Sequence, residues 1–281
     1  MTQARPLRGV YVDRSLEMRQ IMESRNLPTP ALITFREGNP SVPDLIRLGQ
    51  DTDVLIVEHT HISAQVIDAC PSLNALLFMG TGVGSYIDVS RAQQRGLRIV
   101  TTPGYADQSV AEHAFALMLA GARHIVQMDR DVRVGRWNPI EGIQLKGRKV
   151  AVVGLGGIGT AFAEMAHAIG MRVAGWNRTP VAKPYFERDL DAALRGADVL
   201  SLHLGLNEET RNIIDQRRLA LLNRACIVVN TARAALIDER ALLRSLANGH
   251  VGHAALDVFH TEPLAEGNAY TGCENVTATP H

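Results

Sequence analysis

Excess charge of either sign is missing from this chain: Lys+Arg and Asp+Glu both number 29 across 281 residues. With no basic tail and no charge block, a nucleic-acid or membrane-surface partner is not expected. Cysteine is scarce. Cys70, Cys226 and Cys273 are odd in number and widely spaced, so they offer neither a disulfide framework nor metal-ligand spacing. Their scarcity points to a reducing, cytoplasmic setting. The N-terminal stretch holds Arg5, Pro6 and Arg8 but no apolar run of signal-peptide length. Nowhere does an uninterrupted apolar run approach the ~18 residues of a membrane span. Low-complexity segments and solenoid-type repeats are absent too.

What is present is alternation. Short β-rich runs and helical stretches follow one another, the pattern of parallel sheets with crossover helices. Before residue 101 the strand candidates are Gly9–Val12, Ala31–Phe35, Val54–Val57, Ala75–Met79 and Leu97–Val100. Helix candidates include Leu16–Ser24, Ala64–Ala69 and Val89–Arg95, the last closed by Gly96. Five such units suffice for one doubly wound domain, 1–100. Thr101-Thr-Pro-Gly104 reads as a linker into a second domain, 101–281. Ser109-Val-Ala-Glu112 has capping-box spacing, and the apolar period after it predicts one long helix to about Val134. That helix is either a subunit-interface or interdomain spine, or simply a buried helix. From Lys149 the alternation resumes, with six strand candidates: Val150–Val153, Arg172–Trp176, Val199–Leu202, Ile227–Asn230, Ala254–Val258 and Val276–Thr279. Six is the number expected of a two-halved dinucleotide fold.

Gly154-Leu-Gly-Gly-Ile-Gly159 fits G-x-G-x-x-G. A plain glycine turn would share those letters. The strand before and the helix after supply the context that the chemistry demands. Gly154 allows the tight turn, Gly156 lets backbone approach a pyrophosphate, and Gly159 lets helix and strand pack closely. Gly157 and Ile158 complete the loop, where the helix N-terminus attracts an anion. The second strand ends in Asn177, Arg178 and Thr179, where an NAD-selective site usually carries an acid. Without that carboxylate, a guanidinium and a hydroxyl suit a 2′-phosphate. NADP(H) is therefore the preferred cofactor and NAD(H) the possible one, the bland alternative being a merely solvated Arg178.

Ligands of open parallel sheets bind beyond the carboxyl ends of the strands. There the sequence sets Thr231 and Arg233 after the fourth strand of this half, Asp257 at the end of the fifth, Glu262 just beyond, and His281 after the sixth. Thr231 is a candidate cofactor contact. Arginine can clamp a carboxylate bidentately, histidine can donate a proton to a carbonyl oxygen, and a carboxylate can orient the ring. Each residue alone has a dull explanation, as a surface charge, a helix cap or a turn. Their succession on neighbouring strand ends is the argument. Elsewhere His59, His61, His113, His124, His167, His203, His250 and His253 are read as structural or surface residues; His260 is the nearest rival acid–base group.

At these residues the chain resembles the D-isomer-specific 2-hydroxyacid dehydrogenase family. The matches run in family order: Met79-Gly-Thr-Gly-Val-Gly84, Ser109-Val-Ala-Glu112, Gly154–Gly159, Ser201-Leu-His-Leu204, Asn230-Thr-Ala-Arg233, Ala255-Leu-Asp-Val-Phe259 with Glu262-Pro263, and Thr279-Pro-His281. The resemblance implies a flavodoxin-like substrate domain, a Rossmann cofactor domain and a homodimer formed through the long helix. It implies hydride exchange with a small 2-oxo or 2-hydroxy acid such as glyoxylate or hydroxypyruvate. His281 would be the general acid/base, Glu262 its support and Arg233 the substrate clamp. Asp257 would meet the nicotinamide carboxamide, and backbone at Gly82 and Val83 the substrate carboxylate. Four departures stand out: Ala106 where many members have Asn, Ala234 and Ala235 where glycine is common, Asn177 for the usual acid, and a chain ending at His281 where the family continues, which implies a longer native chain. A nicotinamide-redox-sensing binding protein, or a dehydrogenase of formate or a non-carbon acid, would share the same fold.

Overall fold

Val54-Leu-Ile-Val57 is apolar without interruption, as a strand covered on both faces must be. In the computed structural model, which describes residues 7–26, 32–80 and 82–281, it lies at the centre of a five-stranded sheet. Arg5, Ala31 and Thr81 lie outside the described residues. The chain divides into two compact units, 1–105 and 106–281. The division falls just past the segment that reads as a linker, and Thr101 itself closes a strand.

In the first unit the order is β1 (Gly9–Tyr11), α1 (Leu16–Ser24), β2 (Ile33–Phe35), α2 (Val42–Gly49), β3 (Val54–Val57), α3 (Ala64–Ala69), β4 (Ala75–Phe78), α4 (Val89–Gln94) and β5 (Arg98–Thr101). Every strand pair is parallel, in the order β2-β1-β3-β4-β5. That is the flavodoxin-like arrangement. Leu45 of α2, Val66 and Ile67 of α3 and Ala92 of α4 cover Leu55, Val57 and Leu76, all of them buried. Local chemistry starts and stops the helices. Ser41 and Asp88 accept backbone N–H bonds at the heads of α2 and α4. Gly96, at φ +70, ends α4 as the sequence requires. At the carboxyl edge the Asp13 carboxylate accepts from the backbone N–H groups of Glu58, His59 and Thr60 at 2.9, 2.7 and 2.7 Å, tying the ends of β1 and β3 together.

The second unit runs α5 (Asp107–Ala122), α6 (Ile125–Arg133), β6 (Lys149–Val153), α7 (Gly157–Ala168), β7 (Arg172–Trp176), β8 (Phe186–Glu187), α8 (Leu190–Leu194), β9 (Val199–Leu202), α9 (Gln216–Leu219), β10 (Cys226–Asn230), α10 (Glu239–Ala247), β11 (Val251–Leu256) and β12 (Val276–Ala278). Its seven parallel strands lie in the order β12-β11-β10-β9-β6-β7-β8. This is the doubly wound dinucleotide order with a strand added at one edge. Alternate residues of β6 feed separate cores, Ala151 and Val153 on one face, Val150 and Val152 on the other. Among the described residues no helix is long and apolar enough to cross a membrane.

Three expectations need correction. The sheet has seven strands, not six, because β8 is only two residues long and carries no periodicity to read. Thr231 and Arg233, Asp257, and His281 therefore follow the fifth, sixth and seventh strands of this unit. Ser109 is not an N-cap: α5 begins at Asp107, and the Ser109 hydroxyl donates back to the Ala106 carbonyl at 3.1 Å. The long helix breaks at Arg123 and His124, with His124 in the left-handed region at φ +51. The Ala122 carbonyl, which a continuing helix would use, instead accepts from Ile143 N–H at 2.9 Å. The returning chain can come this close because residue 142 is glycine: a Cβ there would lie 2.7 Å from that oxygen.

Candidate active site

The glycine loop is built by contacts that exclude side chains. Gly154 sits at φ +102, and a Cβ on it would lie 2.5 Å from the His203 carbonyl oxygen. Gly159 brings α7 so close to β6 that a Cβ would fall 1.8 Å from the Gly154 oxygen. Behind the turn, half-buried His203 shares a 2.9 Å hydrogen bond between Nε2 and the Ser201 hydroxyl. Burial pushes its pKa down to about 3, so the ring is neutral. Asn177 braces the loop from β7: its Oδ1 accepts from Leu155 N–H at 3.2 Å and its Nδ2 donates to the Thr179 carbonyl at 2.8 Å. Arg178 pairs with Glu209 at 2.8 Å, both side chains well exposed.

Three features of this unit suit a dinucleotide. Among the described residues no atom comes within 4 Å of where a Gly156 Cβ would be, so the loop's outer side is open. The head of α7 has Gly156 as its cap and, among the described residues, no side chain bonded to its first N–H groups, which leaves them for an anion. Thr231, only 8% exposed, has an Oγ1 with no partner among the described residues. One residue works against an anion: Asp107, whose Oδ2 would lie 1.6 Å from a Cβ on Gly157. No local sequence pattern points to this contact.

Two strands along, the Asn230 side chain shapes the turn that carries Arg233. Its Nδ2 donates to the Arg233 carbonyl at 3.0 Å, and its Oδ1 accepts from Ala232 N–H at 3.1 Å. Arg233 is extended and half-buried, with Nη1 donating to the Ala232 carbonyl at 2.6 Å. Past β11, Phe259 N–H and His281 Nδ1 bind the two oxygens of Glu262, each at 2.8 Å.

A cleft of about 460 Å³ opens beside β11 and β12, lined by Ser109, Val110, His113, Asp257, Thr279, Pro280 and His281. It holds Asp257 and His281 together, with Glu262 bonded to the imidazole. Arg233 is carried on the neighbouring strand end and is not part of that lining. His260 is exposed and also lies outside it. Gly82, at φ +78, and Val83 form a 3-10 turn of the first unit. His113 is the residue that sequence reasoning missed. It stands one helical turn after Ser109 on α5, with Nε2 at 3.2 Å from Thr279 Oγ1 and 3.4 Å from Asp257 Oδ1. Its place directly after Ser109–Glu112 was the available signal.

Residues 115–281 match the family model described as D-isomer specific 2-hydroxyacid dehydrogenase, NAD binding domain. A glyoxylate reductase of Thermofilum pendens is 33% identical, over 93% of this chain and 84% of its own. A hydroxypyruvate reductase of Thermotoga maritima is 36% identical, over 85% and 80% respectively. Among solved structures, an acyclic imino acid reductase in complex with NADPH and D-Arg superposes with a TM-score of 0.85 at 29% identity, covering 98% of this chain and 89% of that one.

Proposed function

The chain belongs to the D-isomer-specific 2-hydroxyacid dehydrogenase family, and from that membership we propose that it reduces small 2-oxo acids of the glyoxylate and hydroxypyruvate kind, with NADP(H) preferred over NAD(H). The oxidoreductase class follows from the family. The substrate size draws on the two reductase relatives. The observation that carries the reading is the 2.8 Å bond between Glu262 and His281 at the rim of a cleft that also holds Asp257.

The proposed cofactor contacts are the Gly154–Gly159 loop, Thr231, Asp257 and the end of β7. Asn177 brings no negative charge beside the adenosine ribose, and exposed Arg178 is free to trade its solvent-screened pair with Glu209 for a phosphate. When bound, a nicotinamide supplies the hydride for reduction and accepts it in the reverse direction.

The chain's own residues do the rest. Reduction of a 2-oxo acid adds a hydride to the carbonyl carbon and a proton to its oxygen. His281 gives that proton from Nε2, since Nδ1–H is engaged by Glu262. The Glu262 carboxylate holds the ring in one orientation, with Nε2 turned to the transfer. Solvent then restores the proton. Arg233 binds the substrate carboxylate through two parallel N–H bonds and polarises the adjacent carbonyl. The enzyme is assigned to the cytoplasm, where free Cys70, Cys226 and Cys273 stay reduced. The apolar strip of Ile125, Val132 and Trp137, exposed by 52, 56 and 89%, supports a homodimer.

The test is cofactor oxidation with a panel of short 2-oxo acids, NADPH beside NADH, wild type beside Arg233→Ala. Turnover with glyoxylate or hydroxypyruvate is expected, and Arg233→Ala should lower kcat/KM at least ~10²-fold, as loss of a charge-assisted clamp does. No turnover with any member of the panel would overturn the substrate class.

A further inference from the structure

We propose that His113 is a positioning residue: acting through Thr279, it holds the Asp257 carboxylate in one orientation, with Oδ1 engaged and Oδ2 left to accept, and so governs how the cleft takes a primary carboxamide. The proposal rests on the nicotinamide reading above and adds to it a residue and a direction of hydrogen bonding.

Three elements meet here. His113 comes from α5, Asp257 follows β11, and Thr279 follows β12, its N–H bonded to the Leu256 carbonyl at 3.0 Å. The Thr279 hydroxyl lies 2.5 Å from Asp257 Oδ1, and His113 Nε2 lies 3.2 Å from the same hydroxyl. A threonine hydroxyl has a single proton to give. At 2.5 Å from a carboxylate oxygen, that proton points to Asp257. His113 Nε2 therefore carries a hydrogen and donates, and the chain of bonds runs from His113 to Thr279 to Asp257. Oδ1 also has the imidazole within 3.4 Å and is fully engaged. Oδ2 accepts nothing among the described residues and is left as an acceptor only.

That polarity has a chemical consequence. A carboxamide offers an NH2 donor and a carbonyl acceptor of nearly the same shape. An Oδ2 that can only accept selects the NH2, which fixes the amide rotamer and the ring face turned to the substrate. Without the relay, Asp257 is freer to rotate and the selection weakens. His113 is not a second general acid on this account, because its Nε2–H is committed to Thr279.

The experiment compares His113→Ala, His113→Gln and Thr279→Val with the wild type in the full-length enzyme. The cofactors are the natural reduced form and its 3-acetylpyridine analogue, in which a methyl replaces the NH2. Wild type should favour the carboxamide by ~10-fold or more in kcat/KM, the size expected for a lost hydrogen bond to a charged group. His113→Ala and Thr279→Val should raise cofactor KM ~10-fold with kcat nearly unchanged, and bring the preference close to one. His113→Gln, whose amide N–H reaches the same hydroxyl, should restore most of it. Unchanged KM and preference in both His113→Ala and Thr279→Val would overturn the proposal, as would a collapse of kcat in His113→Gln. If His113→Ala fails to fold, Thr279→Val carries the test alone. A wild type that binds no nicotinamide at all refutes the cofactor reading rather than the relay.

Discussion

Glu262 holds His281 by a 2.8 Å bond to Nδ1, and spends its other oxygen on the backbone N–H of Phe259, also at 2.8 Å. The carboxylate is thus anchored to its own loop before it orients the ring, and Nε2 is the imidazole nitrogen left for a substrate. His281→Ala should lower kcat by ~10²–10⁴-fold, the usual contribution of a positioned acid or base. Glu262→Gln keeps one hydrogen bond but loses the charge, and should cost less, about tenfold. Steady-state kinetics with saturating cofactor separates the two; equal losses would mean that Glu262 does more than orient.

Asn177 and Arg178 divide two tasks at the end of β7. Asn177 is tied into the loop through Leu155 and Thr179, whereas Arg178 is held, among the described residues, by an exposed partner, Glu209. An exposed pair of this kind is worth ~1 kcal/mol or less, so a phosphate displaces it readily. Arg178→Ala should raise KM for NADPH about tenfold and leave KM for NADH nearly unchanged. Asn177→Asp should reverse the preference, because its carboxylate repels a 2′-phosphate and accepts from ribose hydroxyls. Parallel titrations with both cofactors measure it, and equal effects on both would remove Arg178 from the site.

What the sequence made legible was whatever local chemistry dictates. The turn at Gly154 needs a positive φ, β3 and β6 are continuous apolar runs, and Gly96 stops α4. The parts that stayed hidden are set by distant chain. The break after α5 depends on Ile143 claiming the Ala122 carbonyl, and β8 exists only as a two-residue pairing against Gly175 and Trp176. His113 looked like one more helical histidine because its partner Thr279 is 166 residues away. Asp107 likewise gains meaning only when α7 is brought against α5.

That contact leads to a third prediction. Asp107 puts a carboxylate beside Gly157, at the positive end of α7 where a diphosphate is proposed to bind. Like charges so placed repel across little intervening solvent. Asp107→Asn keeps the shape and removes the charge, so cofactor KM should fall ~3–10-fold, most clearly at low salt where screening is weak. The same carboxylate favours the helix dipole, so the variant should lose ~0.3–1 kcal/mol of stability without cofactor. Cofactor titration and thermal melts test both; a KM that rises would show that Asp107 helps the ligand instead.

Two histidines with depressed pKa values, His203 and His253, shape the acid side of the stability profile. His203 and His253 are pushed down by burial to about 3 and about 4, His253 further by nearby His124 and Arg130. Unfolded, each returns to the ordinary imidazole value of ~6.5. Between those limits the unfolded chain binds more protons than the native one, so stability rises with pH there and levels off above ~6.5. Going down from 6.5 towards 4, each histidine should cost up to ~1.4 kcal/mol per pH unit. The depressed carboxylate of Asp191, held at about 2 by Arg217 and Arg218, adds its own loss only at still lower pH. His253→Gln can keep a side-chain donor for Thr277, the partner of Nε2 at 2.9 Å, while removing one titrating group. Denaturant unfolding across this range should then show about half the slope of the wild type. An unchanged slope would mean that His253 does not stay neutral in the folded protein.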